Sequence, residues 1–195
     1  MPWGLKRFQA SGQTHFVTFC CYHRRPSFTT PIPRQVFEAA LERVRLSFEL
    51  CVDGYVVMPE HVHLLLSEPQ LHTLADAIKS LKQGVSRRLI GEAEHFWQKR
   101  YYDFNVRNEP QFVEKLRYIH NFPVKRGLCA RAEDWEWSSF RQYATGCAGT
   151  VEIECEWTAR KRERAAGRLG PAVKAPLEPK NGLSRPPAIR LASSY

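Results

Sequence analysis

Apolar residues recur along this chain in two rhythms, one of period two and one of period near 3.6. Residues 13–22, Gln-Thr-His-Phe-Val-Thr-Phe-Cys-Cys-Tyr, are rich in β-branched and aromatic types and predict a strand. From Gln35 to about Leu50, Val36, Phe37, Ala40, Leu41, Val44 and Phe48 fall at helical spacing. Glu38, Glu42, Arg43 and Arg45 fill the other side, and Pro33 suits a first helical turn. Residues 51–57 predict a second strand and residues 61–66 a third. Only Met58-Pro59-Glu60 separates them, so the two are expected to pair as an antiparallel hairpin. Residues 73–90 predict a helix with Leu74, Ala77, Ile78, Leu81, Val85 and Leu89 on one side, opened by the start signal Thr73-x-x-Asp76. Residues 96–107 predict a fourth strand. The order β-α-β-β-α-β is that of an α+β, ferredoxin-like split βαβ arrangement, which RNA-recognition domains also use. Both helices would cover one face of an antiparallel sheet and leave the other free for a ligand or a further element.

A further helix is expected after this unit, capped by Asn108, running to about Asn121 and ended by Pro123, because the residue before a proline avoids the helical region. Trp135, Trp137 and Phe140 mark another packed segment. Beyond residue 158 the apolar rhythm stops and five of the 13 prolines appear. The chain therefore divides into a domain over 1–158 and a basic, Pro/Arg-rich flexible tail over 159–195.

Charge sharpens this division. The net charge is +9, and the tail holds nine Lys/Arg against two Glu. A basic tail favours polyanions, but it is equally a solvated end, so charge alone does not decide the function. No apolar run approaches the roughly 18 residues of a membrane span, and the N-terminus lacks the apolar stretch of a secretory signal. A soluble cytoplasmic protein, with no membrane partner, is expected. The six cysteines form no C-x-x-C pair and read as reduced, mostly buried thiols.

Two features carry candidate chemistry. His61 and His63 lie two apart on a predicted strand, so their imidazoles point to one side while Val62, Leu64 and Leu66 point into the core. Two neutral imidazoles are a common start for a divalent metal site, although magnesium would need oxygen donors as well. A bare H-x-H is more often a pair of hydrogen-bonded strand histidines. Tyr118 is the second feature. The apolar face of its helix is Phe112, Val113, Leu116 and Ile119, and Tyr118 is expected nearly opposite, beside Gln111, Glu114 and Lys115. It is there either as an ordinary exposed residue or as one presented to a substrate. Glu60 is a turn residue that could also turn toward a metal, and His15 is either packed or on the open face. Lys79, Lys82, Arg87 and Arg88 at helical spacing, with Lys99, Arg100 and Arg107, suit a phosphate track. Trp97, Tyr101 and Tyr102 suit stacking on unpaired bases. A solvated face with core aromatics reads as well.

Taken together, these segments resemble a known family. Met58-Pro59-Glu60-His61-Val62-His63-Leu64-Leu65-Leu66 resembles the M-P-x-H-V-H-L-L-L signature of single-tyrosine HUH transposases, the IS200-like family. Phe96-Trp97-Gln98-Lys99-Arg100-Tyr101-Tyr102-Asp103 is similar to its W-Q-x-x-Y-x-D segment. Leu116-Arg117-Tyr118-Ile119-His120-Asn121-Phe122-Pro123-Val124-Lys125-Arg126-Gly127-Leu128 is similar to its tyrosine helix. Trp135-Glu136-Trp137-Ser138-Ser139-Phe140 resembles the W-x-W-S-S-[YF] segment of the REP-associated tyrosine transposases. The likeness covers roughly residues 10–158.

The resemblance implies a metal-dependent single-stranded DNA endonuclease and strand-transferase acting on hairpin, REP-type DNA. It implies that His61 and His63 hold Mg²⁺ or Mn²⁺, that Tyr118 attacks the scissile phosphate to form a 5′-phosphotyrosine, and that the protein works as a monomer or homodimer near the nucleoid. Lys125 and Arg126, at the end of the tyrosine helix, join the expected DNA contacts. One position departs from the pattern. Four residues after the tyrosine the family commonly carries an amide within reach of the metal, and here Phe122 stands there. Phenylalanine cannot ligate a metal, which leaves Asn121, His120 or water for the third position. The alternative reading is a catalytically weak hairpin-binding regulatory protein.

Overall fold

The computed structural model describes residues 13–90 and 95–155, and in addition 158, 162, 163 and 165. Four strands form one sheet: β1 (Thr14–Cys20), β2 (Val52–Val57), β3 (His61–Ser67) and β4 (Tyr102–Val106). Their order is β2-β3-β1-β4, and each neighbouring pair is antiparallel. Two interleaved βαβ units produce that order, as the alternation of elements predicts. The long helices α1 (Pro31–Ser47) and α2 (Leu74–Leu89) pack side by side on one face. Phe37, Ala40, Leu41 and Val44 of α1 meet Ala77, Ile78, Leu81 and Val85 of α2 over Val17, Phe19, Val62, Leu64 and Leu66 of the sheet. Thr73 caps α2 in a reciprocal box with Asp76, as the T-x-x-D signal predicts.

The opposite face of the sheet is taken by a further element. Helix α3 (Glu109–Lys125), capped by the Asn108 side chain, lies across it and buries Leu116 and Ile119 against Phe16, Val56, Met58, Leu65 and Val106. Its close seat depends on Gly54. A Cβ there would stand 2.7 Å from Leu116 Cδ1, nearer than carbon atoms approach.

Three expectations are corrected. Helix α1 begins at Pro31, a turn earlier than Gln35, with both prolines inside its first turn. The fourth strand is shorter than 96–107. Residues 96–98 pair instead with the chain just after β1, through Tyr22 N to Phe96 O (2.8 Å) and Gln98 N to Cys20 O (2.9 Å). The carbonyls of Gln98 and Lys99 are then drawn off by Lys82 Nζ at 2.6 and 3.4 Å, which turns the backbone out of the ladder. Finally, α3 runs through Pro123 rather than ending before it. The missing N–H costs one helical hydrogen bond, but the ring is buried and Phe122 before it is held against the sheet-borne histidines. The helix ends one turn later, where Gly127 takes φ +67° and Gly127 N and Leu128 N bond the carbonyls of Val124 and Pro123 (2.9 and 3.0 Å).

The Trp135–Phe140 segment covers the outer edge of β2. Val57 N donates to Trp137 O (2.9 Å), Val56 bridges Ser138, and the short helix α4 (Phe140–Thr145) follows. Of the tail expected over 159–195, only residues 162, 163 and 165 are described, and the rest lies outside the described residues. Arg162 Nη1 and Nη2 bond Glu154 and Glu152 at 2.6 and 2.7 Å.

Candidate active site

The alternation of β3 places His61, His63 and Leu65 beneath α3 while Val62, Leu64 and Leu66 enter the helical core. The imidazoles converge, with Nε2 to Nε2 at 3.0 Å. The two rings differ at their other nitrogens. Thr18, opposite His63 on β1, sets its hydroxyl 2.7 Å from His63 Nδ1. His61 Nδ1 is buried without a well-aligned hydrogen bond and lies 3.2 Å from Glu60 Oε1. Phe16 stacks on the His63 ring at 5.5 Å between centroids and 17° between planes. Burial holds the His61 imidazole below its usual range. Burial, with the neighbouring His61, pushes His63 down to about 3. Both rings are therefore neutral near pH 7, the form that offers a lone pair to a cation.

The donor set can be compared with a divalent cation. Ligands about 2.1 Å from one cation and at right angles to each other stand about 3.0 Å apart, which is the separation of the two Nε2 atoms. The imidazoles thus fit as two neighbouring ligands. Among the described residues, no group of three or more His, Cys, Asp or Glu side chains is placed to complete such a site.

Helix α3 closes over the pair. Tyr118 stands edge-on to His63 (5.2 Å between ring centroids) and to Phe16 (5.9 Å). Phe122, one turn on, touches all three partners, at 5.4 Å from His61, 4.8 Å from His63 and 4.9 Å from Tyr118. Tyr118 is half-buried and does not face solvent from the far side of its helix. Its companion Lys115 also lies over the sheet, with Nζ 5.0 Å from the Phe104 ring centre. Because α3 lies flat on the sheet, two adjacent strips of the helix are covered, one apolar and one carrying Tyr118. Burial raises the phenol above its usual range and the Arg126 charge partly opposes this, so the unassisted chain does not supply a phenolate.

The two third-position candidates are placed elsewhere. His120 lies on the far strip of α3. Its Nε2 is 2.9 Å from Ser139 Oγ, its ring packs on Phe140 and Tyr143, and burial pushes it down to about 3. Asn121 is exposed, and the position facing the histidines is that of Phe122. His15 packs on the opposite face of the sheet, fully buried between Asp103 (2.8 Å) and Glu68 (3.2 Å). Burial works against its charged form, but the two carboxylates outweigh burial and leave the imidazole raised above its usual range.

The expected DNA contacts are distributed over several surfaces. Lys79, Lys82, Arg87, Trp97, Lys99 and Tyr101 line one cavity of about 470 Å³ between α2 and residues 95–101, with no carboxylate among the described residues that line it. Lys79, Arg87 and Lys99 are exposed on it. Lys82 is committed to the carbonyls of Gln98 and Lys99. Trp97 is a floor rather than a stacking surface. It is 8% exposed, its ring is 4.9 Å from Phe19, and its Nε1 donates to Lys82 O at 3.0 Å. Arg88 lines a second cavity of about 370 Å³ with Arg43 and Arg87. Arg100, Arg107 and Lys125 are exposed. Lys125 Nζ lies 5.9 Å from the Tyr118 ring centre. Arg126 pairs with Glu60 at 2.7 Å. Thr18 and the Arg126–Glu60 pair have no signal in the sequence, because each depends on strand register or on where α3 ends.

Comparison with known proteins agrees with this geometry. Residues 9–122 match the family described as "Transposase IS200 like". The chain is 25% identical over 139 residues to the REP-associated tyrosine transposase of Escherichia coli K12, a match covering 70% of this chain and 82% of that relative. Among solved structures, it resembles a REP-associated tyrosine transposase bound to a REP hairpin. The TM-score is 0.65 and the identity 22%, covering 78% of this chain and 92% of that one. No helix among the described residues is long and apolar enough to cross a membrane.

Proposed function

The chain belongs to the IS200-like transposase family, and from that premise we propose that it is a metal-dependent single-stranded DNA endonuclease and strand-transferase working through a tyrosine–DNA intermediate. One observation carries the reading. Tyr118, on a helix 55 residues further along the chain, is seated 5.2 Å from the His63 ring, whose Nε2 is 3.0 Å from that of His61. A solitary surface tyrosine has no reason to be folded against a convergent pair of neutral imidazoles.

His61 and His63 would hold Mg²⁺ or Mn²⁺, which supplies charge neutralisation at the scissile phosphate and polarises its oxygens. The Tyr118 oxygen bonds to phosphorus and gives up its proton, and the 3′ oxygen leaves with the electrons of the broken bond and takes a proton. The phosphotyrosine retains the energy of the phosphodiester, so a 3′ hydroxyl reverses the step without a nucleotide cofactor. Because burial raises the phenol, deprotonation is part of the barrier; the metal, or Glu114 through water, would assist it, Glu114 being exposed one turn earlier and paired with Lys115 at 3.1 Å. The substrate class is hairpin DNA of the REP type, in keeping with the solved relative that holds a REP hairpin. The cavity rimmed by Lys79, Arg87 and Lys99 is the proposed seat for its phosphates. The protein is proposed to act near the nucleoid, as a monomer or a homodimer.

A second reading, a hairpin-binding regulatory protein with weak cleavage, is favoured by Phe122. The ring occupies the side of the histidine pair where a third protein ligand would stand. One experiment separates the two. Protein is incubated with Mg²⁺ or Mn²⁺ and end-labelled hairpin DNA from the region flanking its gene, then run on a denaturing gel beside Tyr118→Phe and His61→Ala. A covalent adduct lost in both variants supports the enzyme. Tight binding with no adduct under any metal supports the regulator.

A further inference from the structure

Arg126 was expected among the DNA contacts, and its side chain, 44% exposed, is paired with a carboxylate. Nη1 donates to Glu60 Oε1 at 2.7 Å, and the same oxygen lies 3.2 Å from His61 Nδ1. Both ends of this chain of contacts are fixed. Glu60 is only 13% exposed at its side chain, and its backbone carbonyl accepts from Cys21 N at 2.9 Å. Pro59 O accepts from Phe28 N and Met58 N bonds His61 O, both at 2.9 Å, so the turn carrying Glu60 is held on three sides. Arg126 is the residue at which α3 stops, locked by the Gly127 termination.

Resting on the reading above, we infer that Glu60 is a positioning residue that joins the histidine pair to the tyrosine helix through Arg126. The chemistry follows from the imidazole. For Nε2 of His61 to present a lone pair, its proton must sit on Nδ1, and Nδ1–H needs an acceptor. Glu60 Oε1, 3.2 Å away though off the line of a hydrogen bond, is the acceptor within reach, and the Arg126 guanidinium donates to that same oxygen. His63 is served in the same way by Thr18, which belongs to β1 and is fixed by the sheet. The two ligands therefore differ. The Nδ1 partner of His63 comes from the sheet, whereas the carboxylate beside His61 Nδ1 is paired to α3 through Arg126. Helix α3 thus meets the pair through the Tyr118 and Phe122 rings and, by way of Glu60, through Arg126. Docking of Tyr118 and alignment of His61 become one event.

The test uses full-length protein without DNA, so that loss of a phosphate contact by Arg126 is not read. Two quantities are measured for the parent, Arg126→Ala, Glu60→Ala, the double variant and Arg126→Lys. The first is the ring tautomer of His61 in metal-free protein, by long-range proton–nitrogen correlation of the imidazoles. The second is Mn²⁺ affinity by calorimetry. The parent is expected to show the Nδ1–H tautomer. Arg126→Ala and Glu60→Ala should each shift His61 toward a mixture of tautomers and weaken Mn²⁺ binding by about tenfold or more. The double variant should be no weaker than Glu60→Ala, because the arginine acts only through the carboxylate, and Arg126→Lys should recover part of the loss. An Arg126→Ala protein with parental tautomer and affinity, or losses that simply add, overturns the inference while the metal reading stands. A parent that binds no Mn²⁺ overturns the metal reading, and the His61 tautomer across the variants then decides the positioning role by itself.

Discussion

Gly54→Ala isolates the seat of α3, because the glycine is not itself one of the residues of the proposed chemistry and its missing side chain faces the helix. The added Cβ would stand 2.7 Å from Leu116 Cδ1 and 3.4 Å from Ser139 Oγ. Carbon contacts settle at about 3.5–4.0 Å, so Leu116 or the whole helix must retreat by about 1 Å. Leu116 is 3% exposed and packed among Phe16, Val56 and Ile119, which limits a rotation in place. Overpacking of this kind costs about 1–3 kcal/mol, which lowers the melting temperature by about 2–12 °C in a protein of this size. The functional effect should exceed the stability effect. A 1 Å displacement of a reacting group can cost about a hundredfold in rate, and α3 carries Tyr118. The expected result is hairpin binding within about twofold of the parent, with adduct formation slowed between about tenfold and a hundredfold, read on the denaturing gel. Leu116→Val removes the clashing atom, so Gly54→Ala/Leu116→Val should recover much of the rate. An alanine variant with parental rate and melting temperature would refute the reasoning, since the helix would then not be set down by this contact.

Phe122→Asn should lower the Mn²⁺ concentration for half-maximal adduct formation several-fold, by offering an oxygen where the ring now covers both imidazoles; an unchanged metal titration would acquit the phenylalanine. Lys79→Ala/Lys99→Ala should weaken hairpin binding and reduce the slope of log affinity against log salt by about 1.4, at about 0.7 for each single-strand phosphate that a lysine no longer neutralises. A slope equal to the parent's would place the DNA elsewhere. Asp53 is buried, and burial with the nearby Glu154 pushes its carboxyl up to about 7. Between about pH 4 and 7 the folded protein then holds a proton that the unfolded chain has released, so stability falls as pH rises through that window. The loss by pH 8 is of order 4 kcal/mol. Asp53→Asn should match the parent at pH 4 and exceed it at pH 8 in urea midpoint; parallel pH profiles for the two proteins would sink this account.

The parts of the site that were legible in the sequence are those set by neighbours along the chain. The period of β3 is local, so His61 and His63 could be assigned to one side and Leu64 to the other without knowledge of any partner. The Thr73–Asp76 box and the Asn108 cap are local in the same sense. Tyr118 was misjudged because helical periodicity names the most apolar strip, but not how wide a strip the sheet will cover. A helix lying flat across a sheet buries two rows, and the second row here mixes Lys115, Tyr118 and Phe122. Pro123 misled for a related reason. The local penalty on Phe122 is real, but contacts with rings 59 and 61 residues away hold it helical. Trp97 looked like a stacking platform from its basic neighbours alone, and only the three-dimensional packing shows its ring turned into the core. The Thr18 hydroxyl became visible only once β1 was registered against β3.

That register has a consequence for how the protein matures. β3 is an interior strand, paired along its length with β1 on one side and β2 on the other. A slip of one residue would turn His61 and His63 into the core beneath α1 and α2 and set Val62, Leu64 and Leu66 under α3 in their place. The desolvation of two imidazoles and the loss of three apolar anchors would come together. Misassembled chains are therefore poorly packed chains, open to proteolysis before they meet a substrate. Ordinary surveillance of unfolded protein thus doubles as proofreading of the nuclease centre, and a chain that survives it with a sound core carries its two histidines on the correct side.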